Sequence, residues 1–182
     1  MLIRQARASD YPAILTLQRL NTPENLSGAQ LQQGFIVSTM DEAQLASLNQ
    51  DLGILVAEHD GQLAGFVCLS QTDTQPRPPV VDALVETLSS LTFNGRPLAE
   101  QRVFLYGPVC LATQWRGKGV LKQLFAAVKT HTHERFDLGA LFIDQHNPHS
   151  LAAHVDGLGM HALSTFDCQG KRYWLLAFAT NG

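Results

Sequence analysis

TQWRGKGVLKQLFAAV (residues 113–128) sets Arg116-Gly117-Lys118-Gly119 directly before an apolar-striped run. Val120, Leu121, Leu124, Phe125 and Val128 recur at helical spacing, so the glycine turn is the entry to an amphipathic helix. The first amides of a helix lack intrahelical partners and carry the positive end of its dipole. Gly117 and Gly119 bring no Cβ, which lets an anion approach the main chain, and Arg116, Lys118 and Lys122 add positive charge. A glycine turn can also merely join a strand to a helix, but here cations and helix together predict a cradle for phosphate or pyrophosphate. Other phosphate loops fit less well. A Walker A motif needs Ser or Thr after Gly-Lys, and Gly119 follows Lys118; the dinucleotide fingerprint needs a third glycine at position 122, which is Lys.

Outward from the turn, RVFLYGPVCLA (102–112) reads as a strand interrupted at Gly107-Pro108, where the missing N–H of proline marks a bulge or an edge. ALFID (140–144) is apolar enough for a strand buried on both faces. GILVAEHDGQLAGFVCLS (53–70) is a hairpin around Asp60-Gly61, a type I′ turn pair. HALSTFDC (161–168) and KRYWLLAFAT (171–180) form a last hairpin around Gln169-Gly170. LIRQA (2–6) opens the chain as a strand, followed by helices over 9–20 and, more weakly, over 25–36. QTDTQPRPP (71–79) is a loop, VVDALVETLSSL (80–91) a helix, and NPHSLAAHVDGLGM (147–160) a short helix led by Asn147. Strands alternating with helices argue for one α/β domain over residues 1–182.

Composition narrows the function classes. The chain has 182 residues, 45% hydrophobic and 16% charged, with a formal net charge of -3, which fits one globular domain and argues against a general nucleic-acid surface. Cys68, Cys110 and Cys168 are scattered, so neither a disulfide framework nor a zinc knuckle is expected. His131 and His133 do not share a helix face and no HExxH occurs, so no metal site is expected. No apolar run approaches the ~18 residues of a membrane span, and no secretory signal is read at the start, so a cytoplasmic location is expected.

Gln114-Trp115-Arg116-Gly117-Lys118-Gly119 resembles the Q/R-x-x-G-x-G/A motif of the GCN5-related N-acetyltransferase (GNAT) family, and VCLATQWRGKGVLKQLF is similar to that family's strand, turn and helix. The opening LIRQARASDYPAILTL resembles its first strand and helix, and the Asn147-led helix resembles its later one, with Met160 in place of an aromatic and one residue inserted before Gly159. The resemblance implies a mixed, mostly antiparallel sheet flanked by helices and an acetyl-CoA-dependent N-acetyltransferase. Transfer would go to a primary amine of a small molecule or peptide, by direct attack through a tetrahedral intermediate. The amides of Gln114, Trp115, Arg116, Gly117, Lys118, Gly119 and Val120 would hold the pyrophosphate. Val109, Cys110 and Leu111 would run beside the pantetheine arm, with the Val109 amide as oxyanion donor.

The general acid of such proteins is implied to be a tyrosine on the Asn-led helix. Counted forward from Asn147 the position falls on His154, counted back from Gly159 on Val155, and only His154 has a proton to give. Asn147 and Ser150 are implied cofactor contacts, Asn147 equally a helix cap. For the base, Tyr106, Asp144 and a water chain stay open. Residues 71–102, longer than the family's usual turn between its third and fourth strands, are expected to border the acceptor, with Arg77, Glu86 and Arg96 in them. A homodimer is compatible with the family. A non-catalytic acyl-CoA sensor and another nucleotide-phosphate binder are the alternative readings.

Overall fold

The computed structural model describes residues 1–22, 40–75 and 77–181. Among these, seven strands make one sheet: β1 (Leu2–Gln5), β2 (Ile54–His59), β3 (Gln62–Gln71), β4 (Val103–Leu111), β5 (Leu138–Asp144), β6 (His161–Cys168) and β7 (Lys171–Ala179). Their spatial order is β1-β2-β3-β4-β5-β7-β6, and every neighbouring pair is antiparallel except β4 with β5. The helices are α1 (Tyr11–Leu20), α2 (Glu42–Asp51), α3 (Pro79–Leu88), α4 (Val120–Thr132) and α5 (Pro148–Ala152). A miniature hairpin pairs Thr92–Phe93 with Arg96–Pro97.

The period-two alternation of β2 shows how the sheet is covered. Leu55 and Ala57 point to the face where α4 lays down Val120, Leu124, Phe125 and Val128, while Ile54 and Val56 point to the face covered by Ile14 and Leu17 of α1 and Leu45 of α2. Burying each such aliphatic side chain stabilises the fold by roughly 1.5–3 kcal/mol. Both faces are therefore dry, and β5 reads as a continuous apolar run because it is buried on both sides. The β2–β3 turn has Asp60 at φ 51° and Gly61 at φ 78°, the left-handed pair of a type I′ hairpin.

Two elements differ from the sequence reading. The helix expected over 25–36 lies outside the described residues, and α2, which periodicity does not announce, forms over 42–51. Only Leu45 of α2 is buried, so its apolar stripe is too thin to register; its signal is the cap, where Asp41 accepts from the Gln44 amide (2.8 Å) and Gln44 from the Asp41 amide (2.9 Å). The helix expected over 147–160 is α-helical only to Ala152 and continues as a π-helical turn over Ala153–Gly157. That widened turn takes up the one residue inserted before Gly159 relative to the family's pattern.

The stretch 71–102 is partly core. Val80, Leu84 and Leu88 of α3 pack with Phe93 and Leu98 onto Leu175 and Phe166 of the β7–β6 hairpin.

The feature that positions the site is where β4 stops pairing. Its parallel ladder with β5 runs only from Val103–Leu138 to Leu105–Ala140. On its other side the register with β3 slips: Val67 faces Val109 and Leu69 faces Tyr106, leaving Gly107 and Pro108 opposite Cys68. The bulge expected at Gly107-Pro108-Val109 is therefore present, and beyond it β4 and β5 part into a cleft.

Candidate active site

Ala112 donates its N–H to Ala64 O at 2.8 Å, and Ala64–Ala112 belongs to the same register as Phe66–Cys110. Strand amides alternate sides, so those of Cys110 and Ala112 face β3 while those of Val109 and Leu111 face the gap that β5 leaves. Among the described residues no neighbouring strand claims these donors, and they line the cleft.

Two cavities open from that gap. On one side a groove of about 1010 Å³, counting its open mouth, runs from Val109, Cys110 and Leu111 to the glycine turn and is walled opposite by α5 and the π-turn. On the other a pocket of about 1110 Å³, measured the same way, lies between α2, the 70–81 stretch and the ends of β4 and β5. The two share Val109, Ser150 and His154. Those residues mark the junction.

The glycine turn has the geometry its sequence suggests. Gly117 (φ 73°) and Gly119 (φ 82°) sit in the left-handed region, Gly119 caps α4, and a Cβ added at either would meet no protein atom within 4 Å. Both line the groove, together with Arg116, Val120 and Lys122. A close-approaching anion therefore has room, first-turn amides and cations. Not every side chain of the motif faces it. Gln114 is exposed and outside the groove lining; Trp115 turns away, edge-on to His59 at 4.9 Å, with the Lys118 ammonium 5.5 Å from its ring centre. Cys110 is buried against the α1 face, where burial pushes its thiol up to about 12, so it stays a protonated core residue whose main chain borders the groove.

His154 and Tyr106 meet at the junction. Ser150 O lies 2.8 Å from His154 Nδ1, and a carbonyl only accepts, so Nδ1 carries the proton. Nε2 of the neutral ring is then an acceptor, and Tyr106 Oη donates to it at 3.1 Å. Burial agrees with this tautomer: it pushes His154 below its ordinary value, against the smaller opposite pull of the Ser150 carbonyl, and pushes the Tyr106 phenol up. His154 is 3% exposed, the place to which counting from Asn147 assigns it, whereas Val155 packs half-buried into the core.

Asn147 is buried beside α5 and makes no side-chain cap bond to it; neither cavity includes it among its lining. Asp144 accepts from the His146 amide at 2.8 Å and also lies outside both cavities. Sequence reasoning missed Asn21 at the end of α1, whose Oδ1 accepts from Arg116 Nη2 at 2.6 Å and which lines the groove. It missed altogether the wall that α2 gives the second pocket. Of the residues expected from 71–102, Arg77 lines the second pocket, and Glu86 and Arg96 do not.

The architecture is shared with solved structures. A ribosomal-protein-alanine N-acetyltransferase from Brucella melitensis aligns at 21% identity over 98% of this chain and 99% of its own, with a TM-score of 0.62. An acetyltransferase of the GNAT family from Streptococcus agalactiae aligns at 11% identity over 98% and 94%, with a TM-score of 0.67. A putative acetyltransferase, yncA, from Salmonella typhimurium, solved with its cofactor acetyl-CoA, aligns at 17% identity over 100% and 95%, with a TM-score of 0.61. No curated protein matches the chain. The family model described as "Acetyltransferase (GNAT) family" matches residues 13–160, a span that contains the bulged strand, the glycine turn and the His154 helix, and so this chain belongs to the GNAT acetyltransferase family.

Proposed function

We propose that the protein is an N-acetyltransferase that takes the acetyl group of acetyl-CoA to a primary amine by direct attack. The observation that carries this reading is the meeting of two cavities at Val109, Ser150 and His154, one ending in an anion cradle and the other in a pocket without one. The acetyl-CoA complex of the Salmonella relative supports the choice of donor.

The residues present fit that donor. The amides from Gln114 to Val120 and the Arg116 and Lys122 side chains would hold the pyrophosphate, and the outward amide of Leu111 would take the pantetheine arm. Acetyl-CoA supplies an activated acyl carbon and a thiolate that needs a proton as it leaves. The Val109 amide is the oxyanion donor, pre-aimed because β5 does not claim it. Tyr106 lines the acceptor pocket and His154 lines both cavities, and the two hold one proton between Oη and Nε2. The pair accepts a proton from the amine nitrogen at Tyr106 Oη while the phenol's own proton passes to His154 Nε2, and the imidazolium so formed gives one proton up to the departing thiolate, ending as it began. His154 thus keeps the donor role toward sulfur and Tyr106 the acceptor role toward the amine, joined in one relay.

Calorimetry with acetyl-CoA, CoA and ATP, followed by thiol release on a panel of amines, tests the reading. Binding of both CoA species but not ATP, with amine-dependent thiol release, is expected. ATP binding in their place points to a different nucleotide site, and CoA binding without release on any amine points to a sensor.

A further inference from the structure

The acceptor pocket is built almost entirely of neutral groups. Leu48, Pro78, Val81, Leu141, Phe142 and Pro108 give it an apolar body, and the amides and hydroxyls of Gln44, Ser47, Ser70 and Gln71 stand among them. Among the described residues no carboxylate lines it, and Arg77 is the lining residue that carries a fixed charge. The Arg77 guanidinium is held by Asp82, at 2.6 Å from Nε, and by the Thr72 carbonyl; the Asp82 side chain is 60% exposed and outside the lining. At the reacting end Tyr106 and His154 satisfy each other and Ser150 O, so both ring nitrogens of His154 are already engaged in its neutral form.

Among the described residues this lining offers an ammonium ion hydroxyl and amide oxygens and ring faces, but no carboxylate to balance its charge. A cation entering it would lose its water, gain no counter-ion and meet Arg77. The Tyr106–His154 pair does not help at that stage. A neutral imidazole whose basicity burial has lowered does not strip an alkylammonium, although it can take the far more acidic N–H that exists once nitrogen has bonded to the acyl carbon.

Resting on the transfer reading above, we propose that the acceptor is an amine already substantially neutral near pH 7 and carried on an apolar body, the chemistry of an arylamine or of a peptide α-amino group, and not an alkylammonium of the lysine or polyamine type. At pH 7 a lysine-type amine with a pKa of ~10.4 is neutral in roughly one molecule in 2,500, and a peptide α-amine with a pKa near ~8 in about one in ten.

The test is acetyl-CoA-dependent thiol release with three acceptors of similar bulk: aniline, phenylalanine amide as a peptide-like α-amine, and phenethylamine as the alkylamine. Rates are measured from pH 7 to pH 9 with wild type and with Gln44→Glu. At pH 7 at least one of the low-basicity amines should exceed phenethylamine in kcat/KM by tenfold or more. Which of the two leads separates a small arylamine from a peptide terminus. For phenethylamine kcat/KM should climb about tenfold per pH unit as its neutral fraction grows. Gln44→Glu adds a carboxylate to the pocket wall while retaining the acidic or amide side chain that the α2 cap requires, so it folds; it should narrow the preference severalfold. Phenethylamine equal to the others at pH 7, or a phenethylamine profile flat from pH 7 to 9, overturns the proposal, because the enzyme would then be binding and deprotonating the ammonium itself. Tight acetyl-CoA binding with release on none of the three overturns the transfer reading, and the acceptor class falls with it.

Discussion

The groove and the pocket that meet at His154 are made of different material. The features that set the groove apart are main-chain ones: two outward amides of β4, the left-handed glycines at 117 and 119, and the first turn of α4. The pocket is largely side chain, contributed by α2, the 70–81 stretch and the ends of β4 and β5, segments far apart in sequence. A main-chain site is written in the few residue types that permit its backbone. A side-chain site is written in no local pattern at all. The contrast predicts that substitutions on the two sides separate cleanly, donor binding on one and acceptor use on the other.

The largest effect is expected at the cradle. Gly119→Glu puts a side chain and a negative charge into the space in front of the helix amides, and its backbone must also hold a φ of 82°. Acetyl-CoA affinity should fall ~100-fold or more in calorimetry, in a protein whose circular dichroism stays native; an unchanged Kd would remove the cradle. At the junction, His154→Phe keeps the ring volume and removes the relay. Turnover should fall by ~10²–10⁴ with acetyl-CoA Kd within about twofold, and Tyr106→Phe should fall by a similar factor because the pair acts as one unit. A variant with wild-type turnover would leave the proton to water.

On the acceptor side, Ser47→Trp fills the pocket from an exposed position of α2, away from the core. It should raise acceptor KM roughly tenfold by excluding part of the apolar body and leave acetyl-CoA binding within twofold. Equal damage to both substrates would mean that the two cavities are one. The smallest effect is on stability. His154 is buried neutral, with its folded pKa below the unfolded one, so its contribution is fully present above the ordinary histidine value and is lost as pH falls from about 6.5 through the folded pKa. The melting temperature should decline modestly from pH 7.5 to 5.5, and His154→Gln should flatten that decline.

The same division explains what is legible in the sequence alone. The Asp60-Gly61 hairpin, the doubly buried β5, the Gly107-Pro108 bulge and the glycine turn all announce themselves because each constrains the backbone. Residue counting from Asn147 could also reach His154. What counting could not supply was the π-turn at 153–157, which absorbs the extra residue and lets His154 face Tyr106 while Gly159 keeps its turn (φ 77°). The Asn21–Arg116 contact joins residues 95 apart in sequence and has no local signature. Trp115 and Lys118 belong to the motif by sequence, yet their side chains pair with each other and His59 outside the groove. A motif that works through its amides leaves its side chains free for other contacts.

The parting of β4 from β5 also has a kinetic consequence. A slot open at both ends lets two substrates arrive from opposite directions without either blocking the other, and lets both be present before any bond changes. Cys110, buried and protonated, offers no stopping place for the acyl group in between. Initial velocities measured against both substrates should therefore give double-reciprocal lines that intersect. Parallel lines would mean that the acyl group rests on the protein before the amine arrives.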